Sequence, residues 1–218
     1  PEGSLIVARE QRTGRGRGGR QWTSPPGNLY MSLLLRPQGN VGTVAQISFL
    51  AAVALAEALT AIAPQLSPRL KWPNDVLVDG AKISGILLES SALSGGGVGW
   101  LVLGMGVNVA RHPDDAGQAA TSLHAHGVVD CTAYSLLAAL APALLHWLDI
   151  WREVGFPPLR QAWLERAAGL GGRLRVRLPN EEFSGIFRDL DGDGSLIIEL
   201  SDGTLRPVAA GEVFLSRS

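Results

Sequence analysis

The sequence predicts an α+β fold: a mixed sheet covered by helices, followed by a small C-terminal SH3-like β-barrel. Three observations predict it. Strand-length apolar runs separated by Gly, Pro and Asp-Gly turns recur through the first half. Apolar runs of helix length lie at 43–63 and again between 132 and 168. From Gly171 the texture changes to short alternating runs. Residues 1–170 are therefore expected to form the larger unit and 171–218 the barrel, and 218 residues are ample to bury a core.

The first strand is expected at 4–8, with LIVA at its centre, and the second at 29–35 (LYMSLLL) after a glycine-rich loop. Residues 44–63, VAQISFLAAVALAEALTAIA, are long enough to cross a bilayer. Gln46, Ser48 and Glu57 interrupt them and Ala dominates, so they read as a buried helix, N-capped near Thr43 and stopped by Pro64. Strands at 69–72 and 76–78 follow, then an Asp79-Gly80 hairpin turn and a strand at 83–89. A glycine-rich loop at 94–97 leads into a strand at 98–109, and helices near 132–153 and 157–168 close the unit. Alternating runs at 173–178, 183–189, 195–200 and 204–208, within about 46 residues, suit a barrel and are too few for a sandwich.

The formal charge of −1 provides no global attraction to nucleic acid or membrane. The positive charge is local, because six arginines and only two acids lie in residues 1–36, which suits a small anionic ligand. Cys131 is alone, which excludes a disulfide framework and fits a reducing cytoplasm. His124 and His126 have no partners at ligand spacing, so no metal site is expected there. Asp189, Asp191, Asp193 and Gly194 match the start of a calcium loop. Its twelfth position is Leu200 rather than Glu, so a solvated hairpin turn is the better reading.

Two segments carry the chemistry. GRGRGGRQW (14–22) alternates glycines, which let backbone N–H groups converge, with Arg15, Arg17 and Arg20, which bind phosphate or carboxylate in a bidentate manner. Gly14, Gly16 and Gly19 also satisfy the dinucleotide pattern. That fingerprint must open a helix, and Pro25-Pro26 forbid one there. The second segment, KWPNDVLVDGAKISGILLE (71–89), holds both lysines of a chain that otherwise uses seventeen arginines. A compact ammonium is not interchangeable with a guanidinium at close range, so Lys71 and Lys82 ask for a chemical reason. Asn74 and Asp75 lie between them. Two anion cradles suit the activation of a carboxylic acid by ATP, whose transition state is anionic throughout. No Ser-His-Asp or Cys-His arrangement competes.

Together with GMGVNV (104–109), these two segments resemble biotin protein ligase, also called biotin–[acetyl-CoA-carboxylase] ligase, in order and spacing. The resemblance covers essentially the whole chain, including the small terminal barrel. It implies a biotin/lipoate ligase-like catalytic domain acting on biotin and ATP with Mg2+. The product biotinyl-5′-AMP would give its acyl group to a lysine of a biotin carboxyl carrier protein. Gln11 would hydrogen-bond the biotin head group, and Arg15 and Arg17, with the backbone of Gly14 and Gly16, would close over the carboxylate and phosphates. Lys71 would bridge the acyl oxygen and the α-phosphate, with Lys82 a second cation. Gly85, Gly104 and Gly106 would admit the ureido ring, and Trp22 and Asn108 would frame adenine. Arg20 and Asn74 complete the expected nucleotide contacts.

The glycine loop, with no apolar seat, is expected to order on ligand binding. The chain opens on Pro and lacks the family's Ser-Thr-Asn biotin segment, so a truncated N-terminus is expected. No helix-turn-helix precedes the catalytic motifs, so no nucleic-acid partner is expected, nor a membrane; a homodimer is. The rival readings are a lipoate or octanoate ligase or transferase of the same superfamily, and a non-catalytic regulator that binds biotinyl-adenylate.

Overall fold

The computed structural model of the chain describes residues 1–92, 97–114 and 117–215. Residues 94–96 of the expected glycine-rich loop therefore lie outside the described residues.

A six-stranded sheet forms the frame, in the order β1 (Leu5–Ala8), β2 (Leu29–Leu35), β6 (Val98–Val107), β5 (Ala81–Ala92), β4 (Asp75–Val78), β3 (Arg69–Lys71). Its ladders are antiparallel, and parallel pairing enters through the bridges Leu70–Ala167 and Lys82–Ala120. Asp79 and Gly80 both take positive φ, at 50° and 76°, which closes the β4–β5 hairpin as their sequence demands.

Helices cover one face. The long apolar run splits into α1 (Val41–Ala45) and α2 (Ile47–Ile62). The N-cap is Asn40 rather than the expected Thr43: its side chain accepts the Thr43 N–H at 2.9 Å. Gln46 at the break is buried and works as a cross-link. Its carbonyl accepts Trp151 Nε1 at 2.9 Å and its amide donates to Gly192 O at 3.2 Å. A buried polar side chain in this apolar run is thus satisfied by partners from a later helix and the barrel turn. Helix α3 (Ala133–Val154) begins with a Thr132–Ser135 capping box and turns Leu136, Leu140, Leu144, Trp147, Leu148 and Trp151 inward. Helix α4 (Phe156–Glu165) opens with Pro in its first turn.

The barrel has five strands, one more than the sequence reading found: β7 (Arg173–Arg177), β8 (Glu182–Leu190), β9 (Leu196–Glu199), β10 (Leu205–Val208) and β11 (Glu212–Leu215). They pair antiparallel in the order β10-β9-β8-β7-β11. The missed strand β11 has four residues and no turn dipeptide before it, so nothing local announces it.

An aromatic joint locks the barrel to the helices. Phe49 of α2 lies edge-on to Phe156 (5.5 Å) and Trp163 (5.4 Å) of α4, and Trp163 meets Phe187 of β8 (6.4 Å). Each such pair is worth about 0.5–1.5 kcal/mol beyond the burial of its rings. The Asp-Gly-Asp-Gly turn completes this joint and holds no ion cage. Asp191 Oδ1 accepts the N–H of Asp193 (2.9 Å) and of Ser195 (2.8 Å), and Asp189 is paired with Arg160. Trp72 of the KWPND segment donates its indole N–H to Gly194 O at 3.0 Å.

Candidate active site

Strand alternation decides which sheet face carries the site. On β6, Leu101, Leu103, Met105 and Val107 are buried among the core, so residues 100–106 of even number face the other way. Two of these are Gly104 and Gly106. Pairing places Gly106 between Gly85 of β5 and Tyr30 of β2. The result is a floor of bare backbone on the face opposite the helices.

Trp22 lies on that floor. A Cβ at Gly106 would overlap the indole nitrogen, and one at Gly85 would come within 3.3 Å of the indole and of Lys82 Nζ. Both positions need glycine for this close approach. Trp22 Nε1 is buried with no hydrogen-bond partner, and so is Asn108 Oδ1 just past the end of β6. Among the described residues these are the two buried side-chain polar atoms left unmatched, each a penalty of about 1–3 kcal/mol until something pairs with it. The Asn108 amide group donates to Thr121 O at 3.0 Å, which fixes the direction of its oxygen.

Lys82 stands over the indole, 5.4 Å from the ring centre, and pairs with Asp75 at 2.6 Å. Their side chains are only 15% and 13% exposed, so this is a largely desolvated pair. Lys71, at the end of β3, has Asp75 as its register partner and has no ion pair among the described residues. Its ammonium sits 6.0 Å from the Phe214 ring of the barrel. Burial pushes its pKa below the ordinary lysine value; Lys82 and Arg20 push the same way, and Asp75 and Glu212 resist.

The glycine loop is a small hairpin. Gly16 N–H bonds Arg20 O at 2.7 Å and Trp22 N–H bonds Gly14 O at 2.9 Å, with Gly18 and Gly19 at positive φ in the tip. A Cβ at Gly14 would strike Trp22 O, and Gln11 beside it accepts the Ser24 hydroxyl at 2.9 Å. Trp22 anchors one end of the loop on the sheet floor, whereas a Cβ at Gly18 or Gly19 in the tip would meet nothing within 4 Å. The loop's guanidiniums find polar partners: Arg15 pairs with Glu89 (3.1 Å) and Arg20 with Glu212 (2.8 Å), while Arg17 donates to Gly211 O (3.2 Å). Burial, then the Arg20 charge, lowers the Arg17 pKa.

Trp22, Lys82, Gly85 and Gly106 therefore share one slot, with Asn108 beside it and Gly14, Gly16, Arg15 and Gln11 in the loop that leads to it. Gly104 lies further along the floor, opposite Leu87. Asn74 is placed elsewhere. Its amide donates to Ile86 O at 2.5 Å, and with Arg17 it lines a cleft of about 560 Å³ between sheet and barrel. The sequence reading missed Glu89, Gly211, Glu212 and Phe214. Gly211 and, on β11, Glu212 and Phe214 had no local signal, because only the folded barrel brings them to the loop. Three of the four histidines are engaged in the loop after β6: His124 with Cys131 O, His126 with Thr121, and His112 with Ser122. No three His, Cys, Asp or Glu side chains gather among the described residues.

Comparison with known proteins identifies the family. The Biotin/lipoate A/B protein ligase family matches residues 8–165, and the Biotin protein ligase C terminal domain matches residues 169–216. The biotin–[acetyl-CoA-carboxylase] ligase of Paracoccus denitrificans is 43% identical over 96% of this chain and 89% of its own length. The bifunctional ligase/repressor of Bacillus spizizenii is 36% identical over 93% of this chain, which spans 63% of that longer protein. Among solved structures, the Aquifex aeolicus biotin protein ligase in complex with biotin and ATP superimposes with a TM-score of 0.83 at 29% identity. That match covers 100% of this chain and 90% of the other. With a catalytic unit and a terminal domain both matched, the chain belongs to the biotin/lipoate A/B protein ligase family.

Proposed function

We propose that the protein activates biotin with ATP and transfers it to a lysine of a biotin carboxyl carrier protein, as in acetyl-CoA carboxylase. The observation that carries this reading is the slot itself: a glycine floor flanked by an orphaned donor and an orphaned acceptor, with a lysine above it. A heteroaromatic ring with adjacent donor and acceptor groups satisfies both Asn108 and Trp22, as adenine does, and leaves the floor at Gly104, beyond the indole, for the flat ureido ring.

In the first step the biotin carboxylate oxygen attacks the α-phosphorus. The bond to the bridging oxygen breaks, and pyrophosphate leaves. The chain's own part is positioning and cationic stabilisation. Lys82 lies over Trp22 and beside Gly85, so we give it the bridge between the acyl oxygen and the α-phosphate. Lys71, nearer the barrel, becomes the second cation on the phosphates; this reverses the order implied by the family resemblance. Arg15 and Arg17, with the Gly14 and Gly16 backbone, close over the anhydride, and Gln11 meets the head group. Arg20 and Asn74 lie on the phosphate side. In the second step the carrier lysine amine attacks the acyl carbon and AMP departs.

ATP enters as its magnesium complex, in which the ion offsets charge on the leaving pyrophosphate. Such an ion takes most of its oxygens from phosphates and needs one or two protein carboxylates, a requirement that Asp75 can meet. Residues 1–170 do the chemistry and 171–218 assist. The enzyme works in the cytoplasm, where its carrier is made. A homodimer would form at β1, an edge strand with Leu5 and Ile6 exposed.

The test is ATP–pyrophosphate exchange with biotin, lipoate or octanoate as sole acid. Exchange with biotin alone, lost in Lys82→Ala, supports the reading. Exchange with lipoate or octanoate alone moves the activity to the sister acids, and silence with all three leaves a binding protein.

A further inference from the structure

Only Trp22, at the end of this nine-residue hairpin, packs on the sheet; a short hairpin with a glycine tip is not stable on its own, so the ordered state of residues 14–21 needs a further support. The described contacts show where it is. Arg17 reaches across the molecule to donate to Gly211 O at 3.2 Å, and Arg20 pairs with Glu212 at 2.8 Å. Arg20 Nε also donates to Arg17 O at 3.2 Å, so the two guanidiniums are tied to each other as well as to the barrel. Both barrel partners lie at the start of β11. That segment is itself held tightly, because Glu212 is in register with Arg177 of β7 and a Cβ at Gly211 would come within 2.8 Å of Leu178. Two strands' worth of barrel therefore stand behind the seat. Phe214, on the same face of β11 as Glu212, lies beneath Lys71 at 6.0 Å and beneath Arg175 and Arg177 at 4.6 and 4.8 Å. Glu212 is thus the carboxylate from the barrel set among Arg20, Arg177 and, through longer-range attraction, Arg17 and Lys71.

We infer that Glu212 is a positioning residue for the activation step: with Gly211 O it forms the seat on which the glycine loop docks, acting through Arg20 and Arg17 rather than on substrate. The inference rests on the proposed biotin activation and gives the barrel a specific part in it. Docking the loop in advance lowers the ordering penalty when biotin and ATP bind. It also puts the loop's cations at the slot before any anion arrives. Because the Arg20 side chain is 61% exposed, the contribution is modest and sensitive to salt.

The experiment uses the full chain, with loop docking read by proteinase K cleavage within residues 9–22 in the absence of ligands. Exchange kinetics and melting temperature are measured in parallel. Glu212→Arg is expected to speed loop cleavage several-fold and to raise KM for ATP and biotin by about threefold to tenfold, with kcat held within twofold. The melting temperature should stay unchanged. The double variant Arg20→Glu/Glu212→Arg should restore protection from cleavage, because the pair is re-formed with reversed sign. Glu212→Asp should keep most of the protection.

Loop cleavage unchanged in Glu212→Arg, or not restored by the double variant, would overturn the inference. A fall in kcat and melting temperature at constant KM would also overturn it, since that pattern marks damage to the barrel alone. If the wild-type protein shows no biotin-dependent exchange but its loop protection still follows the Arg20–Glu212 charges, docking stands and the functional reading fails.

Discussion

Two segments of this chain look alike as sequence: the arginine–glycine loop at 14–22 and the aspartate–glycine turn at 191–194. Both combine charge with flexible backbone, and both resemble ligand-binding loops. Their folded states differ in whether the charged groups are already satisfied. In the turn, Asp191 accepts two backbone N–H groups, Asp189 is held by Arg160, and the Gly194 carbonyl accepts Trp72. In the loop, Arg15 and Arg20 meet only partly exposed acids, and the Trp22 indole below has an unmatched N–H. A segment whose polar atoms are closed among themselves is a joint, and one that leaves atoms open awaits a ligand. The difference lies in long-range partners, so composition alone does not reveal it.

The largest effect that would sharpen this contrast is at Lys82. Removing the ammonium in Lys82→Met is expected to lower biotin-dependent pyrophosphate exchange by about a hundredfold to a thousandfold, the usual loss when one preorganised charge stabiliser is deleted. Thermal unfolding should also move down by several degrees, because Asp75 loses the partner of a largely desolvated pair, so exchange is compared well below the transition. A loss of less than tenfold would place the reacting atoms away from this slot. Next in size is Gly106→Val. Its branched side chain would occupy the place of the indole and the ring floor. Binding of biotin and of ATP, measured by calorimetry, should weaken by at least about tenfold, while the strand pairing keeps the fold. Unchanged binding would show that the glycine floor only makes room for Trp22.

The turn supplies the opposite expectation, with stability affected and chemistry spared. Gly194 has φ +86° and a Cβ there would come within 2.7 Å of the Phe49 ring, so Gly194→Ala strains the backbone and disturbs the aromatic joint together. It is expected to destabilise the protein by about 2–3 kcal/mol in urea unfolding. Below the transition, exchange should proceed at a rate close to wild type, and adding calcium or a chelator should shift neither protein's midpoint. A calcium-dependent midpoint would turn the joint back into an ion site.

The sheet strands were legible because alternation and turn dipeptides are local signals: Asp79-Gly80 fixed one hairpin, and GMGVNV carried its own buried and open faces. The cations proposed for the chemistry were legible for a different reason, since a chain that uses arginine almost everywhere retained lysine at 71 and 82. The acids that answer those cations were not. Glu89 and Glu212 are ordinary charged residues on strands, and only folding carries them to Arg15 and Arg20 across 74 and 192 positions of sequence. The sequence reading put the N-cap near Thr43, and the residue that fills it is Asn40, because its side chain is the one that reaches the Thr43 N–H. Gln46 looked like a blemish in an apolar helix until Trp151 and Gly192 supplied its partners.

The smallest expected effect concerns Lys71, whose burial against the barrel separates it from the exposed arginines of the loop. Its folded pKa lies below the ordinary lysine value, with burial the main cause. The folded protein therefore releases this proton at a lower pH than the unfolded chain does. Below the folded value both states are charged, and the burial penalty is fully present. As pH rises from there toward the unfolded value of about 10.4, the unfolded chain binds more protons, so this residue's contribution to stability rises with pH. Tyr30 titrates in the opposite sense, because burial raises its pKa and favours the protonated folded form, so total stability cannot isolate Lys71. The difference between wild type and Lys71→Met can, since Tyr30 is common to both. The variant should have the advantage near pH 8, and that advantage should narrow by a fraction of a kcal/mol as the pH approaches 10.5. A gap that stays constant with pH would mean that the Phe214 wall leaves this ammonium as well hydrated as those of the loop, and the contrast between the two sets of cations would disappear.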